Sequence, residues 1–164
     1  MNNRRNTLLR LGALAGVLGG LRTLVSGAPA QAAHSYEVMH SDDEWRKLLT
    51  PGQYELLRKA GTERPFSSPL DKEKRAGVFN CAGCALPLFS SKTKFNSGTG
   101  WPSFWQPLDS KAVDEEVDST FGMRRTEVLC HRCGGHLGHV FDDGPKPTGL
   151  RYCMNGLALN FTPA

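Results

Sequence analysis

The sequence predicts a strand-rich domain led by two short helices and cross-linked through pairs of cysteines. Three observations carry that prediction. Two early segments bear helix-capping patterns, the later apolar segments are short and bounded by Gly and Pro, and four of the five cysteines form two CxxC pairs. The 164 residues suffice for one domain of ordinary size, and 39% apolar residues with eight Phe supply a sizeable core.

Charge divides the chain. Arg4, Arg5, Arg10 and Arg22 lie within residues 1–33, which contain no Asp or Glu; the remaining 16 Lys and Arg are matched by 16 Asp and Glu. The body from His34 to Ala164 is therefore neutral, and net charge gives no support to a nucleic-acid partner. Residues 1–33 combine this basic start with the apolar run LGALAGVLGGL and small residues at Ala28, Ala30 and Ala32. That is the layout of an export signal, cut after Ala30 or Ala32, and the run is too short for an ordinary spanning helix. An uncleaved amphipathic anchor is the competing reading. The Arg4-Arg5 pair resembles a twin-arginine signal, with Asn6-Thr7 a loose fit to the usual pattern. The expectation is a periplasmic mature protein, not membrane-spanning, exported after folding and after filling any metal site.

Ser41 and Glu44 form a capping box for a helix through Trp45, Leu48 and Leu49. Thr50 and Gln53 repeat it with Pro51 at N1, and Gly61 is expected to stop this second helix. The apolar faces should pack on a sheet. Thr62–Pro69 reads as a turn-rich loop and Asp71–Arg75 as a solvated charge run.

Val78–Cys81 reads as a strand entering a tight turn at Cys81-Ala-Gly83-Cys84, where Gly83 supplies the backbone freedom. Phe95, Trp101, Phe104 and Trp105 follow among Gly and Pro, as core or as the apolar wall of a pocket. Asp114-Glu115-Glu116 is expected to be exposed. A strand from Met123 runs into Cys130-His-Arg-Cys133, with 45 residues between the two pairs. Two such knuckles fit a four-thiolate zinc site at Cys81, Cys84, Cys130 and Cys133, with no open position for catalysis. A thioredoxin-like redox pair at Cys130/Cys133 is disfavoured by Gly134-Gly135, which follow where a helix would be needed.

That arithmetic leaves Cys153. On a strand, period-2 alternation places Arg151, Cys153 and Asn155 on one face, opposite Tyr152 and Met154. A cation and an amide flanking a thiol suit a low-pKa nucleophile better than a core. The turn signals at Asp142–Pro145 and Pro147–Gly149 fold the chain back, which can bring His136 and His139 beside Cys153. From the residues alone, acyl transfer by a cysteine hydrolase, thiol redox chemistry, and a non-enzymatic zinc-stapled binding module all remain open.

The stretches LLTPGQYELLRKAGTERPFSSP, PLFSSKTKFNSGTGWPSFWQP, GMRRTEV, CGGHLGHVFDDGP and PTGLRYCMNGLALNF, with both knuckles, closely resemble the B-type peptide-methionine (R)-S-oxide reductases over almost all of residues 41–162. The resemblance implies a mainly β domain of two antiparallel sheets with short N-terminal helices and one structural zinc. It implies that Cys153 attacks the sulfoxide sulfur, leaving a cysteine sulfenic acid and methionine. His136 and His139 would line the site and help protonate the oxygen or hold its water network, Trp101 would wall the pocket for the substrate methyl group, and Arg151, Asn155 and Asp143 would tune and orient the thiolate and the histidines. Oxidised proteins or peptides would be the substrates. Many members carry a resolving cysteine where this chain has Thr99. The expectation is therefore a single-cysteine cycle completed by a thioredoxin-like or other external thiol reductant.

Overall fold

The computed structural model describes residues 35–119 and 122–164; the export segment expected at residues 1–33 lies outside the described residues. Helices α1 (Asp42–Leu48) and α2 (Pro51–Lys59) both start on complete capping boxes. The Glu44 backbone N–H donates to Ser41 Oγ at 3.4 Å and the Ser41 N–H donates to the Glu44 carboxylate at 2.7 Å. Gln53 and Thr50 repeat the exchange at 3.3 and 3.1 Å. The stop of α2 falls one residue earlier than expected. Ala60, not Gly61, takes the left-handed conformation, at φ 52°. Gly61 instead makes a close approach, since a Cβ there would lie 2.9 Å from the Glu55 carbonyl oxygen.

Among the described residues nine strands follow: β1 (Gly77–Cys81), β2 (Pro87–Ser90), β3 (Lys94–Phe95), β4 (Ser103–Phe104), β5 (Val113–Asp118), β6 (Arg125–Cys130), β7 (His136–Phe141), β8 (Arg151–Met154) and β9 (Leu159–Pro163). They form two antiparallel sheets, ordered β2-β1-β9 and β3-β4-β8-β7-β6-β5. The mainly β, two-sheet architecture with short leading helices is thus the observed one. Phe104 joins the sheets, stacking on Phe89 at 4.4 Å between centroids and meeting Phe79 edge-on at 4.9 Å. All three rings are fully buried, so this is the centre of the core.

The helices pack at the cysteine end of the sheets as well as on β7. Leu57 lies against both knuckles, where side chains at Gly83 or Gly135 would meet it, and Arg58 donates to the Cys133 carbonyl at 2.9 Å. The acidic run 114–116 lies on edge strand β5, with Glu115 and Glu116 exposed as expected and Asp114 half-buried; Glu115 accepts from the buried Tyr152 hydroxyl at 2.8 Å. Burial first, and then that carboxylate, push the Tyr152 phenol well up from its ordinary value. Among the described residues, no helix is long and apolar enough to cross a membrane.

Candidate active site and metal centre

The two CxxC segments fold alike. In each, a backbone N–H beyond the second cysteine reaches back to the carbonyl of the first, Ala85 to Cys81 at 2.9 Å and Gly134 to Cys130 at 2.8 Å. Those two residues, at φ 58° and 65°, carry the left-handed turn. Gly83 does not, so its expected role shifts from turn-making to packing space beneath Trp45 and Leu57. The knuckles bring Cys81 Sγ to 3.7 Å from Cys133 Sγ and Cys84 Sγ to 3.5 Å from Cys130 Sγ. All four sulfurs lie within 4.8 Å of one another.

This set fits a tetrahedral cation. Metal–sulfur bonds of ~2.3 Å imply sulfur–sulfur edges of about 3.8 Å, close to the separations seen. Contacts among the thiols push Cys81 and Cys130 up and Cys84 and Cys133 down from the ordinary thiol value. Four thiols this close share protons; a divalent cation replaces that sharing with four thiolates.

The second site centres on Cys153. Along β8, Tyr152 and Met154 are buried in the core, while Arg151 and Cys153 alternate with them toward the other side. Cys153 pairs in register with His139 on β7 and with Ser103 on β4. Strands β7 and β8 approach so closely here that a Cβ on Gly138 would lie 2.1 Å from the Cys153 carbonyl oxygen. Cys153, Trp101, His139, Asn155, Arg125 and Phe141 line a cleft of about 140 Å³ with Thr62 and Gly138.

A three-residue spacing on a regular strand would put His136 and His139 on opposite faces. The pairing skips one residue: Val128 faces Gly138 but Leu129 faces His136. This bulge at Leu137 returns both imidazoles to one face, with ring centroids 5.5 Å apart. His139 Nε2 meets Asp118 at 2.9 Å, and that carboxylate also accepts from Arg125 at 2.6 Å. Burial pulls the His139 pKa below the ordinary imidazole value, against the Asp118 hydrogen bond, which raises it. His136 lies behind His139 and does not line the cleft. Its Nδ1 meets Glu127 at 2.6 Å, and its buried Nε2 has no partner among the described residues.

Arg151 and Asp143 form a two-pronged pair, Nε to Oδ1 at 2.8 Å and Nη2 to Oδ2 at 2.9 Å, with the guanidinium 4.3 Å above the Phe141 ring. That pair raises the Arg151 pKa, with the neighbouring Cys153 adding to it, and lowers the Asp143 carboxyl. The pair lines a separate hollow beside the Thr99 loop rather than the cleft itself. Asn155 stands just past the end of β8, so the same-face argument does not reach it. Its side chain bonds the backbone, donating to the Leu137 carbonyl and accepting from the Glu63 N–H, both at 3.2 Å.

Sequence reasoning missed Asp118, Glu127 and Glu63. Glu63 sits in a turn-rich loop yet is buried. Its carboxylate accepts from the Gly156 and Leu157 N–H groups at 2.5 and 3.0 Å, while its carbonyl accepts from Trp101 Nε1 at 3.2 Å. It fixes the pocket wall, Asn155 and the turn after β8 together. Its one sequence signal was a lone acid among prolines and serines. The aromatic loop resolves into both expected roles, with Phe104 in the core and Trp101 on the cleft.

Comparison with known proteins finds a SelR domain over residues 49–163. The chain is 57% identical to the peptide methionine sulfoxide reductase MsrB of Leptospira interrogans over 127 residues, 77% of this chain and 97% of that protein. It is 56% identical to the MsrB of Agrobacterium fabrum over 79% of this chain and 96% of that protein. For the MsrB of Methanosarcina barkeri the identity is 57%, over 76% and 87% of the two chains.

Proposed function

The chain belongs to the SelR domain family of oxidoreductases, and on that premise we propose that it reduces the R epimer of methionine sulfoxide in oxidised proteins or peptides to methionine. The observation that carries the reading is the setting of Cys153: a thiol paired in register with His139, in a cleft walled by Trp101.

In this reading Trp101 and Phe141 receive the substrate methyl end, and the Cys153 thiolate attacks the sulfoxide sulfur. The sulfoxide oxygen leaves methionine and ends on Cys153 as a sulfenic acid, so the methionine sulfur gains the two electrons that the cysteine sulfur loses. Protonation of that oxygen falls to His139, the imidazole on the cleft, with Asp118 orienting its ring. His136, bonded to Glu127, packs behind it. The Arg151–Asp143 pair places a fixed positive charge near the sulfur, and Asn155 holds the end of β8 to β7.

Thr99 stands 3.7 Å from Cys153 Sγ, where it offers a hydroxyl and no second thiol. The cycle is then completed from outside. One external thiol attacks the sulfenic sulfur and releases water, and a second cleaves the mixed disulfide to restore Cys153. A thioredoxin-like dithiol is the expected donor.

Cys81, Cys84, Cys130 and Cys133 would hold one zinc ion. Fully ligated by the chain, it would supply folding stability rather than Lewis acidity. Residues 1–33 would direct export to the periplasm through the twin-arginine route. N-terminal sequencing of the periplasmic protein tests this, with a start at Gln31 or Ala33 expected and purely cytoplasmic full-length chain opposed to it.

A stereospecific assay on both epimers of a methionine-sulfoxide peptide, with wild type and Cys153→Ser, tests the activity. Turnover of the R epimer alone, lost in the variant, is expected. Peptide-bond cleavage without sulfoxide reduction would overturn the reading.

A further inference from the structure

We propose that Thr99, Ser97 and Ser103 form a hydroxyl chain whose direction reverses when Cys153 ionises, making Thr99 the donor to the thiolate; this deepens the reductase reading and rests on it. The contacts are continuous. Cys153 Sγ meets Thr99 Oγ1 at 3.7 Å, Thr99 meets Ser97 Oγ at 2.8 Å, Ser97 meets Ser103 Oγ at 2.7 Å, and Ser103 reaches the Trp101 carbonyl at 3.0 Å. Ser103 is fully buried on β4, opposite Cys153, so the chain is held by the sheet and not by a loop alone.

Proton counting gives the reversal. Four links need four protons, and three hydroxyls plus the thiol supply four, all pointing away from sulfur and ending on the Trp101 carbonyl. Once the thiol ionises, three protons remain. The link to leave empty is the far one, because a hydrogen bond to an anion is worth more than one to a neutral carbonyl. Ser103 then donates to Ser97, Ser97 to Thr99, and Thr99 to the sulfur. Ser97 Oγ also accepts from the Thr99 N–H at 3.4 Å, and its two lone pairs are filled in either direction.

The two ends of the chain therefore act with opposite sign. Thr99→Val removes the donor to the thiolate and disfavours ionisation. Ser103→Ala leaves the Ser97 hydroxyl with Thr99 as its remaining chain partner, which favours the direction that serves the thiolate. A merely structural role would not split the signs. The groups around the sulfur are left in place by both changes: Arg151 with Asp143, and His139 with Asp118 and Arg125. Thr99 touches the reacting sulfur, whereas Ser97 and Ser103 are positioning residues.

The test is the pH dependence of iodoacetamide alkylation at Cys153 in the zinc-loaded protein, read by mass from the peptide carrying that residue. Thr99→Val should move the midpoint up by about one pH unit and slow alkylation roughly tenfold at pH values below the wild-type midpoint. Ser103→Ala should move it down, and Thr99→Ser should keep the wild-type midpoint. No shift in Thr99→Val, or an unchanged or raised midpoint in Ser103→Ala, would overturn the chain. If Thr99→Val fails to fold, the sign in Ser103→Ala decides. Wild-type turnover of the R epimer tests the reductase reading separately, since alkylation needs no substrate.

Discussion

The knuckle cluster and the cleft use the same side chain in opposed settings. At the knuckles four sulfurs face one another under Trp45 and Leu57, and three of the four cysteines are buried. At the cleft a single half-buried sulfur faces hydroxyl, imidazole and guanidinium groups. Thiols that face one another, with backbone N–H groups such as that of Gly83 donating to Cys81 Sγ at 3.4 Å, suit a cation that takes them all as thiolates. A thiol amid oxygen and nitrogen donors can ionise alone and still reach a substrate. Under the proposed function, the partners of a cysteine, more than its exposure, divide structural from redox sulfur in this fold.

The sharpest way to break that division is to exchange which sulfur is lost. Cys153→Ser should lower turnover of the R epimer by at least about a thousandfold, with metal content by emission spectrometry and the melting temperature unchanged. Cys130→Ser should do the reverse in kind. It leaves three thiolates around the cation, and metal loss with a fall in melting temperature of more than about 10 °C is expected by calorimetry. Equal loss of metal in both variants would erase the distinction.

Glu63→Ala sharpens the comparison from the cleft side. It strips the buried Gly156 N–H and the partly buried Leu157 N–H of their acceptor, at a cost of about 2–4 kcal/mol in denaturant unfolding. It should raise KM more than it lowers kcat, because the segment whose Glu63 main-chain carbonyl holds Trp101 loosens once its carboxylate tie to Gly156 and Leu157 is lost, while the partners of Cys153 stay in place.

The smallest effect concerns protonation. Burial holds the His139 pKa below the ordinary 6.5 while Asp118 pulls it up. Asp118→Asn should lower the imidazole midpoint, followed by NMR, by a further fraction of a pH unit, since it also frees the Arg125 charge. The sign for stability follows from the same shift. The unfolded chain binds this proton first, so the His139 contribution is intact above about pH 6.5 and declines as pH falls below it.

Much of this was legible because it was local. Both capping boxes and both knuckles are set by residues within four positions of each other, and each formed where its spacing put it. The β8 alternation also held, as far as Met154. What escaped depended on pairing across the sheet. Asp118 was hidden because edge strand β5 carries acidic residues on exposed positions and shows no apolar alternation. The common face of His136 and His139 depends on a bulge at Leu137, which shows only in the register with β6. Glu63 reaches residues more than ninety positions away, so no window of sequence could expose it.

The division between the two sulfur sites is tested most directly on the oxidised enzyme. Zinc-loaded protein is treated with one equivalent of a methionine-sulfoxide substrate in the absence of thiols, trapped with dimedone and mapped by mass spectrometry. A dimedone adduct at Cys153, no intramolecular disulfide and full retention of zinc are expected. A disulfide from Cys153 to any of Cys81, Cys84, Cys130 or Cys133, with zinc released, would contradict it.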